Sequence, residues 1–430
     1  MSREGYGFYD SVSQPTNYVS WAKGKMTDLV EWQNYYRAIA AKTNEFPVAP
    51  TPQSPAADVL LALSKYDSDI EELRKASTLP YSRFPLNYSA DHPFDVILVH
   101  LAALKGCGQV LELRAVAELE NGQGEKSLAD VKLMLRLGDS IDSEPFIISH
   151  LVRNALTSLA MQPIWDGLVK HKWSDAQLVE LERELAKLNF LKDYEVSMQA
   201  ESAVCIAEVD SVRRPRNYHN IWMIWRTMYS MSGGDDEHFA FPQTSKISAI
   251  IYESSISPVV FYLMPGGWYY RSELVVAQMH QQWLLPSIDS NLQLSFSKTK
   301  KDADKYYQTL NFMPWDFLPF VFPLGLPSDA RKFAFAQNAI NMSRIACALE
   351  RYRLAHNEYP EMLDALAPQF ITQIPHDVIG GRPLHHSRKD GGKFLLYSVG
   401  WNETDDGGQI SLNKYGNTDA TKDDWVWPNP

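Results

Sequence analysis

Cysteine is scarce in this chain. There are 3 in 430 residues, Cys107, Cys205 and Cys347, far apart and without a Cys-x-x-Cys pair. That excludes a cysteine-based zinc or redox motif. Each lies in an apolar helical context and reads as a buried free thiol; spacing alone leaves a disulfide between two of them open. Positive charge is short as well. Lys and Arg number 41 against 52 Asp and Glu, a net charge of −11. A nucleic-acid binder would show a basic face, and the acidic excess gives no pull toward anionic lipid.

Long hydrophobic runs are missing too. The most apolar later window, ISAIIYESSISPVVFYLM (247–264), is broken by Glu253 and Pro258 and is too short to span a bilayer. The opening MSREGYGFYDSVSQ lacks the apolar core of a signal peptide. The chain as given is expected to be soluble and to make no membrane insertion of its own; an anchor in a fuller gene product stays open. Catalytic signatures are absent: no GxSxG, no HExxH, no His-x-Glu with paired cysteines. GCGQVL (106–111) lacks a third glycine and a preceding strand. NGQGEKS (121–127) has Leu119 where a phosphate loop needs its first glycine, and Glu125 splits Gly124 from Lys126. It reads as a turn between helices.

What is present is ordinary globular material, 45% hydrophobic, in a chain long enough for two or three domains. Four segments follow from composition: 1–55, an N-terminal segment and linker; 56–214, helical hairpins; 215–328, an aromatic-rich, mainly helical connection; and 329–430, an α+β tail. In the first, TDLVEWQNYYRAIAAK (27–42) reads as a helix with Thr27 as N-cap, followed by the proline-rich linker 46–55. In the second, Val59, Leu60, Leu63, Tyr66, Ile70 and Leu73 form one helical stripe. A long helix from about 94 to 120 is expected to be interrupted near Gly106 and Gly108. The next is expected to start with Ser127 and Asp130 as a capping-box-like pair. Another should start with Ser143 as N-cap and Pro145 in its first turn, with Pro163 kinking or dividing it. Ser174 and Gln177 form a capping box ahead of the last. Short turns between such helices imply antiparallel hairpins. Residues 113–145 look like one tetratricopeptide-type unit, with no second clear copy, so the body reads as a helical array or an irregular bundle.

In the tail, DARKFAFAQNAINMSRIACALERYRLAH opens a long helix, with Phe335, Ala339, Met342, Ala346, Leu349 and Tyr352 as its apolar stripe. GKFLLYSVGW and GGQISLNK read as strands, and DDWVWPNP as a third; residues 367–386 read as a loop with a Gly-Gly turn. The order of ALERYRLAHNEYPE, LDALAPQFI, IPHDVIGGRPL, FLLYSVG and an Asp-rich close resembles the globular domain of the major pseudopilins of type II secretion. The resemblance covers about the last quarter of the chain. It implies one extended α-helix packed on a small antiparallel sheet. The larger arrangement resembles uncharacterised proteins of Planctomycetes and Verrucomicrobia, which carry no established activity across. The chain departs from true pseudopilins in the long region ahead of the tail and in a helix too polar for filament assembly.

Major pseudopilins hold calcium in the loop after their YS-x-G motif. By that resemblance the ligands here would be Asn402, Asp405, Asp406, Asp423 and Asp424, with the carbonyl region of Val399. Calcium takes six to eight oxygens, and Asn402 stands where the family has Asp. Two other readings remain: a solvated acidic loop held by Asx turns, and a catalytic carboxylate pair, for which one turn does not supply the separation. Elsewhere, His150 lies on an apolar helix face and reads as a core or interhelix histidine. His385 and His386 point to opposite faces of any strand. VRRPR (212–216) suits a helix C-terminus, with anion or partner binding as the other reading. Trp222, Trp225, Trp268, Tyr269, Tyr270 and Trp315 form either core packing or a contact surface for protein or carbohydrate. The expected function is a non-enzymatic interaction or scaffold protein, extracytoplasmic or membrane-associated and related to secretion. The alternative is a hydrolase-type enzyme with an interdomain cleft.

Overall fold

Among the described residues the chain is mainly helical, with one small three-stranded antiparallel sheet near its end. The computed structural model describes residues 21–43, 45–88, 96–213, 265–281, 326–411 and 419–428. Helices α1 (Leu29–Thr43) and α2 (Pro55–Leu63) pair first. The cap of α1 is Asp28, one residue past the expected Thr27. Its Oδ1 accepts from the N–H groups of Val30 and Glu31 at 2.9 and 3.1 Å. Thr27 instead gives its own N–H to Asp166 at 3.4 Å. The expected single stripe over 56–77 is divided. A 3-10 turn at Ser64–Tyr66 separates α2 from α3 (Asp67–Ser77), although Val59, Leu63 and Ile70 all stay buried.

Helices α4 (Val99–Glu120), α5 (Gly124–Asp139) and α6 (Ile147–Val169) pack on one another in sequence order. No interruption occurs at Gly106 or Gly108. Gly108 serves close approach: a Cβ there would lie 2.6 Å from Leu156 Cδ2 of α6. The start of α5 also differs from expectation. The helix begins three residues before Ser127, and Asp130 is wholly buried as an ion-pair partner of Arg74 and Arg114. Its two arginine partners come from α3 and α4, so the carboxylate joins three helices instead of capping one. Helix α6 begins at Ile147 with extended Phe146 before it, so Ser143 and Pro145 precede the helix. It continues through Pro163, which is buried with its neighbours on both sides. Ser174 does form the full capping box with Gln177 at the start of α7 (Asp175–Leu185). Helix α8 (Phe190–Arg213) follows, and α9 (Gly266–Met279) packs along it.

The last helix, α10 (Leu326–His356), touches α6, α7 and α8 and also the sheet. The expected stripe is buried or half-buried, but so are Phe333, Ala334, Ile340, Ile345, Cys347 and Ala348 on the other faces. A helix apolar all round is one with protein on more than one side. The same hydrophobic core therefore runs from Leu111, Val131 and Trp165 through Phe333 and Leu349 to Leu396 and Trp427. Strands β1 (His385–Lys389), β2 (Lys393–Ser398) and β3 (Trp425–Trp427) lie in that order, with His385 opposite Tyr397 and Leu396 opposite Trp427. The expected GGQISLNK strand is not formed in its described residues, 407–411; the edge is taken by 385–389, joined to β2 through Asp390–Gly392. No described helix is long and apolar enough to cross a membrane.

The start and finish of the described chain meet on α6. Trp21 and Trp427 lie with ring centroids 5.5 Å apart. Trp165 Nε1 donates to the Pro428 carbonyl at 2.7 Å. The next residue, Asp166, is buried and accepts from Thr27 and from Gln162 Nε2 at 2.9 Å. Burial pushes its carboxyl up to about 6, despite those hydrogen bonds. A raised carboxyl binds its proton more tightly when folded, so this contribution to stability declines as pH rises from about 4 to about 6 and is flat beyond. We expect Asp166→Asn to gain on the wild type by about 3 kcal/mol across that window, at about 1.4 kcal/mol per pH unit. Urea unfolding of both proteins at about pH 4 and about pH 7.5 measures the difference.

Candidate functional site

The acidic turn comes together as one loop. Asp424 is its anchor: the carboxylate is buried and accepts N–H groups from Gly408 at 2.6 Å and Asp406 at 3.1 Å. Burial pushes Asp424 up, and the nearby Asp406 and Asp405 add to that. Asp405 accepts from Tyr397 Oη and from the Gly407 N–H, both at 3.0 Å. The Gly407 N–H is the main cause that holds Asp405 below the usual carboxylate range. Asn402 donates its amide to Asp406 at 2.8 Å and accepts from the Thr404 N–H at 3.0 Å, an Asx turn. Asp423 takes the hydroxyl of Ser411 and has a left-handed backbone at φ 52°. Gly400 packs against the Asp423 carbonyl at φ 68°, a place with no room for a Cβ. The five oxygen-bearing side chains are thus neighbours, but their carboxylates point at donors of the loop itself. A cation there would have to exchange those hydrogen bonds for its own contacts. Among the described residues, no three His, Cys, Asp or Glu side chains converge as a metal site.

A second polar cluster lies beneath this loop, and composition alone does not reveal it. Asn338 of α10 is wholly buried. Its amide donates to Asp377 Oδ1 at 2.8 Å and Ser398 Oγ at 3.0 Å, and its carbonyl accepts the Val378 N–H at 3.0 Å. Asp377 also accepts N–H groups from Ile379 at 2.8 Å and Val399 at 3.2 Å. Three positions on from Asn338, Asn341 donates to the His376 carbonyl at 2.9 Å, while Gln337 caps α8 by accepting the Phe190 N–H at 2.8 Å. The polar residues near the middle of α10 are therefore the clamp that fixes helix, loop and β2. The signal for this was present in QNAIN: amides at positions 337, 338 and 341 inside an otherwise apolar helix.

The third cluster sits on the seam between the end of α6 and the tail. His171 is the residue after the C-cap Lys170 and is left-handed at φ 51°. The N–H of Lys172 closes onto the Gly167 carbonyl at 2.8 Å, a helix ending in which this position is usually glycine. A histidine there costs on the order of 1 kcal/mol of backbone strain. It is held by a hydrogen bond across the seam, His171 Nδ1 to Glu350 Oε1 at 2.8 Å. Glu350 is buried and takes two further bonds from Arg353, at 2.7 and 2.8 Å, and one from Tyr359 Oη at 2.9 Å. The surrounding cavity measures ≈ 150 Å³ and is bounded also by Gly392, Lys393 and Phe394. Nothing in the local sequence VKHKW marks this histidine.

The remaining sequence candidates are placed as follows. His150 is wholly buried, its Nδ1 3.9 Å from Asp193 Oδ2, with no hydrogen bond to either ring nitrogen. His385 stacks on Tyr397 at 4.8 Å, and His386 lies on the other face near Phe394. Cys107, Cys205 and Cys347 are free thiols. Of the basic run, Arg213 lies over Tyr270 at 4.4 Å; residues 214–216 fall outside the described residues, as do Trp222, Trp225 and Trp315. Tyr269 is buried and Trp268 half-buried against the core, whereas Tyr270 is exposed.

Comparison with protein-family models finds no match. No curated protein and no solved structure matches the chain either. The site has to be read from its own geometry. For the clamp, that reading is quantitative. Asn338→Ala would leave Asp377, Ser398 and the Val378 N–H without their shared partner, and we expect a loss of about 3 kcal/mol. The denaturation midpoint measures it; a loss below about 1 kcal/mol would mean that the clamp is not holding helix to sheet.

Proposed function

We propose that this protein is an interaction or scaffold component whose tail is pseudopilin-like, working outside the cytoplasm or at a membrane in a process related to secretion. The observation that carries the reading is the packing of α10 along the β1–β3 sheet, with Asn338, Asp377 and Ser398 joining them. That arrangement agrees with the motif order of the pseudopilin resemblance, in which a long helix precedes an IP-x-D loop and a YS-x-G turn. Helical hairpins such as α4–α5 and α5–α6 supply broad surfaces of the kind used to bind other proteins. A carbohydrate is the lesser candidate partner, through exposed aromatics such as Tyr270. The acidic loop is proposed as a calcium site of the same tail, with Asn402, Asp405, Asp406, Asp423 and Asp424 as ligands.

The rival reading is a hydrolase. It draws on the His171–Glu350 pair beside a cavity on the seam, since a carboxylate that orients a histidine is a common way to set up a general base. Two experiments separate the readings. Affinity capture with the full chain should return a specific protein or glycan partner; no partner, together with turnover in a broad hydrolase screen that His171→Asn abolishes, would replace the scaffold with the enzyme. Thermal unfolding with excess calcium and with chelator should differ by several degrees if the ion binds the folded loop. Coincident curves would remove calcium from the proposal and leave the loop held by its own hydrogen bonds.

A further inference from the structure

Four carboxylates and two guanidinium groups come together where α3, α4 and α5 join, and neither functional reading uses them. Arg114 of α4 reaches Asp67 of α3 with Nη1 at 2.6 Å. Its Nε lies 3.1 Å from Glu118 Oε1 of α4 and 3.2 Å from Asp130 Oδ2 of α5. Arg74 of α3 pairs with Glu71 at 3.3 Å and with the other carboxylate oxygen of Asp130. Asp67 and Glu71 face water, which screens them. Glu118 and Asp130 do not: their side chains are 2% and 0% exposed.

Two buried carboxylates therefore crowd one N–H group. It has a single hydrogen, and Glu118 Oε1 takes it. Asp130 Oδ2 and Glu118 Oε2 are buried and accept no hydrogen bond. The elements packed around the junction supply no further cation to the pair. On α5, Lys126 is exposed and attracts Glu118 less than Arg114 and Arg74 do. Lys170 at the end of α6 is paired with Glu120, and Lys132 of α5 with Glu180 of α7. On α2, Asp58 is taken by Arg37. A metal ion is a poor answer, because among the described residues no three ligating side chains converge and Arg114 already contacts both acids. What remains to neutralise two like charges out of water is a proton. Burial, and after it the Glu118 carboxylate, pushes Asp130 up to about 7; burial raises Glu118 as well.

We propose that Glu118 and Asp130 share one proton in mildly acidic solution, and that its release as pH rises loosens α3 from the α4–α5 hairpin. With the proton in place the pair carries one negative charge, held by Arg74 and Arg114. Without it, two buried charges repel across a single guanidinium. Arg74 and Ser77 of α3 also line a cavity of ≈ 530 Å³ with Leu128 and Lys132 of α5, so the state of the buried pair reaches the surface there. A raised carboxyl stabilises the folded chain in acid. The contribution is complete below about pH 4, falls as pH rises to about 7, and is flat beyond. The device operates whether the protein is a scaffold or an enzyme.

The test uses the full chain with labelled Asp and Glu carboxyl carbons. NMR should show Glu118 and Asp130 titrating together near neutral pH, as one proton on two coupled sites. Glu118→Gln should move Asp130 well down toward the ordinary carboxylate range, and Asp130→Asn should do the same for Glu118. From about pH 6 to about pH 7.5 the unfolding constant of the wild type should rise about tenfold relative to that of Asp130→Asn; Asp166 is present in both proteins and cancels. Amide exchange in α3, corrected for the intrinsic effect of pH, should quicken several-fold over the same interval while α6 is unchanged. The proposal is overturned if neither carboxyl of the wild type titrates above about pH 5, a result that needs no variant to fold. It is overturned equally if exchange in α3 does not respond to pH. Partner capture is unaffected by either result, so failure here is distinct from failure of the scaffold reading.

Discussion

Helix α10 has protein on two sides, and the rest of the architecture depends on that. Its Phe333 meets Tyr194 of α8 at 5.5 Å, and its Phe335 meets Trp425 of β3 at 5.3 Å. A surface helix buries one stripe; this one buries nearly its whole circumference over its middle turns. Fully burying a large side chain is worth about 1.5–3 kcal/mol, so the shared helix contributes to the stability of body and sheet together. A small sheet needs an apolar face or a helix packed on it to be stable in water, and here one face is covered by a helix that the body also holds. The seam ion pairs of Arg344 with Glu182 and Arg351 with Asp175 lie at the rim of this contact, where screening makes each worth little. The apolar contact supplies the energy.

Within that frame, polar groups settle the geometry. Asn338 and Asp377 are buried with complete hydrogen-bond sets, and such a network fixes one arrangement because any other leaves charges or amides unpaired. The acidic loop follows from the same logic one layer out. Asp424 points inward to hold the turn, and Asp405 and Asn402 organise the surface. Whatever the loop binds, it is shaped first by its own backbone donors.

Much of this was legible in the sequence. The helices are legible by period, Ser174 by its capping box, and the small sheet by the apolar run of β2 and by the Trp-rich β3. What failed did so for identifiable reasons. Gly108 looked like a breaker, because a glycine that admits a neighbouring helix and one that ends a helix are the same letter. Asp130 looked like a cap, because its partners Arg74 and Arg114 come from other helices. The stripe on α10 is legible by period, but its second apolar side is not, since period analysis looks for one face. His171 and Glu350 are 179 positions apart, and only folding shows that they meet. The five residues of the acidic loop were named together because they are near in sequence or in the motif that was matched; the clamp below them was not, because its members come from three elements.

The contact of Trp21, Thr27 and Gly24 with Trp427 and Pro428, over Trp165 and Asp166, has a consequence for how the chain is made. Residues 21–27 find their complete seat only once residues 427 and 428 have been made and folded back. Until then Trp21 lacks its aromatic neighbour, and the indole of Trp165 lacks its acceptor. The nascent helical body must wait, incomplete along one side of α6, for the closing strand to arrive. Loss of Trp427 and Pro428 would therefore unseal Trp21 and Trp165 together, although about 400 residues separate the two sides of the contact.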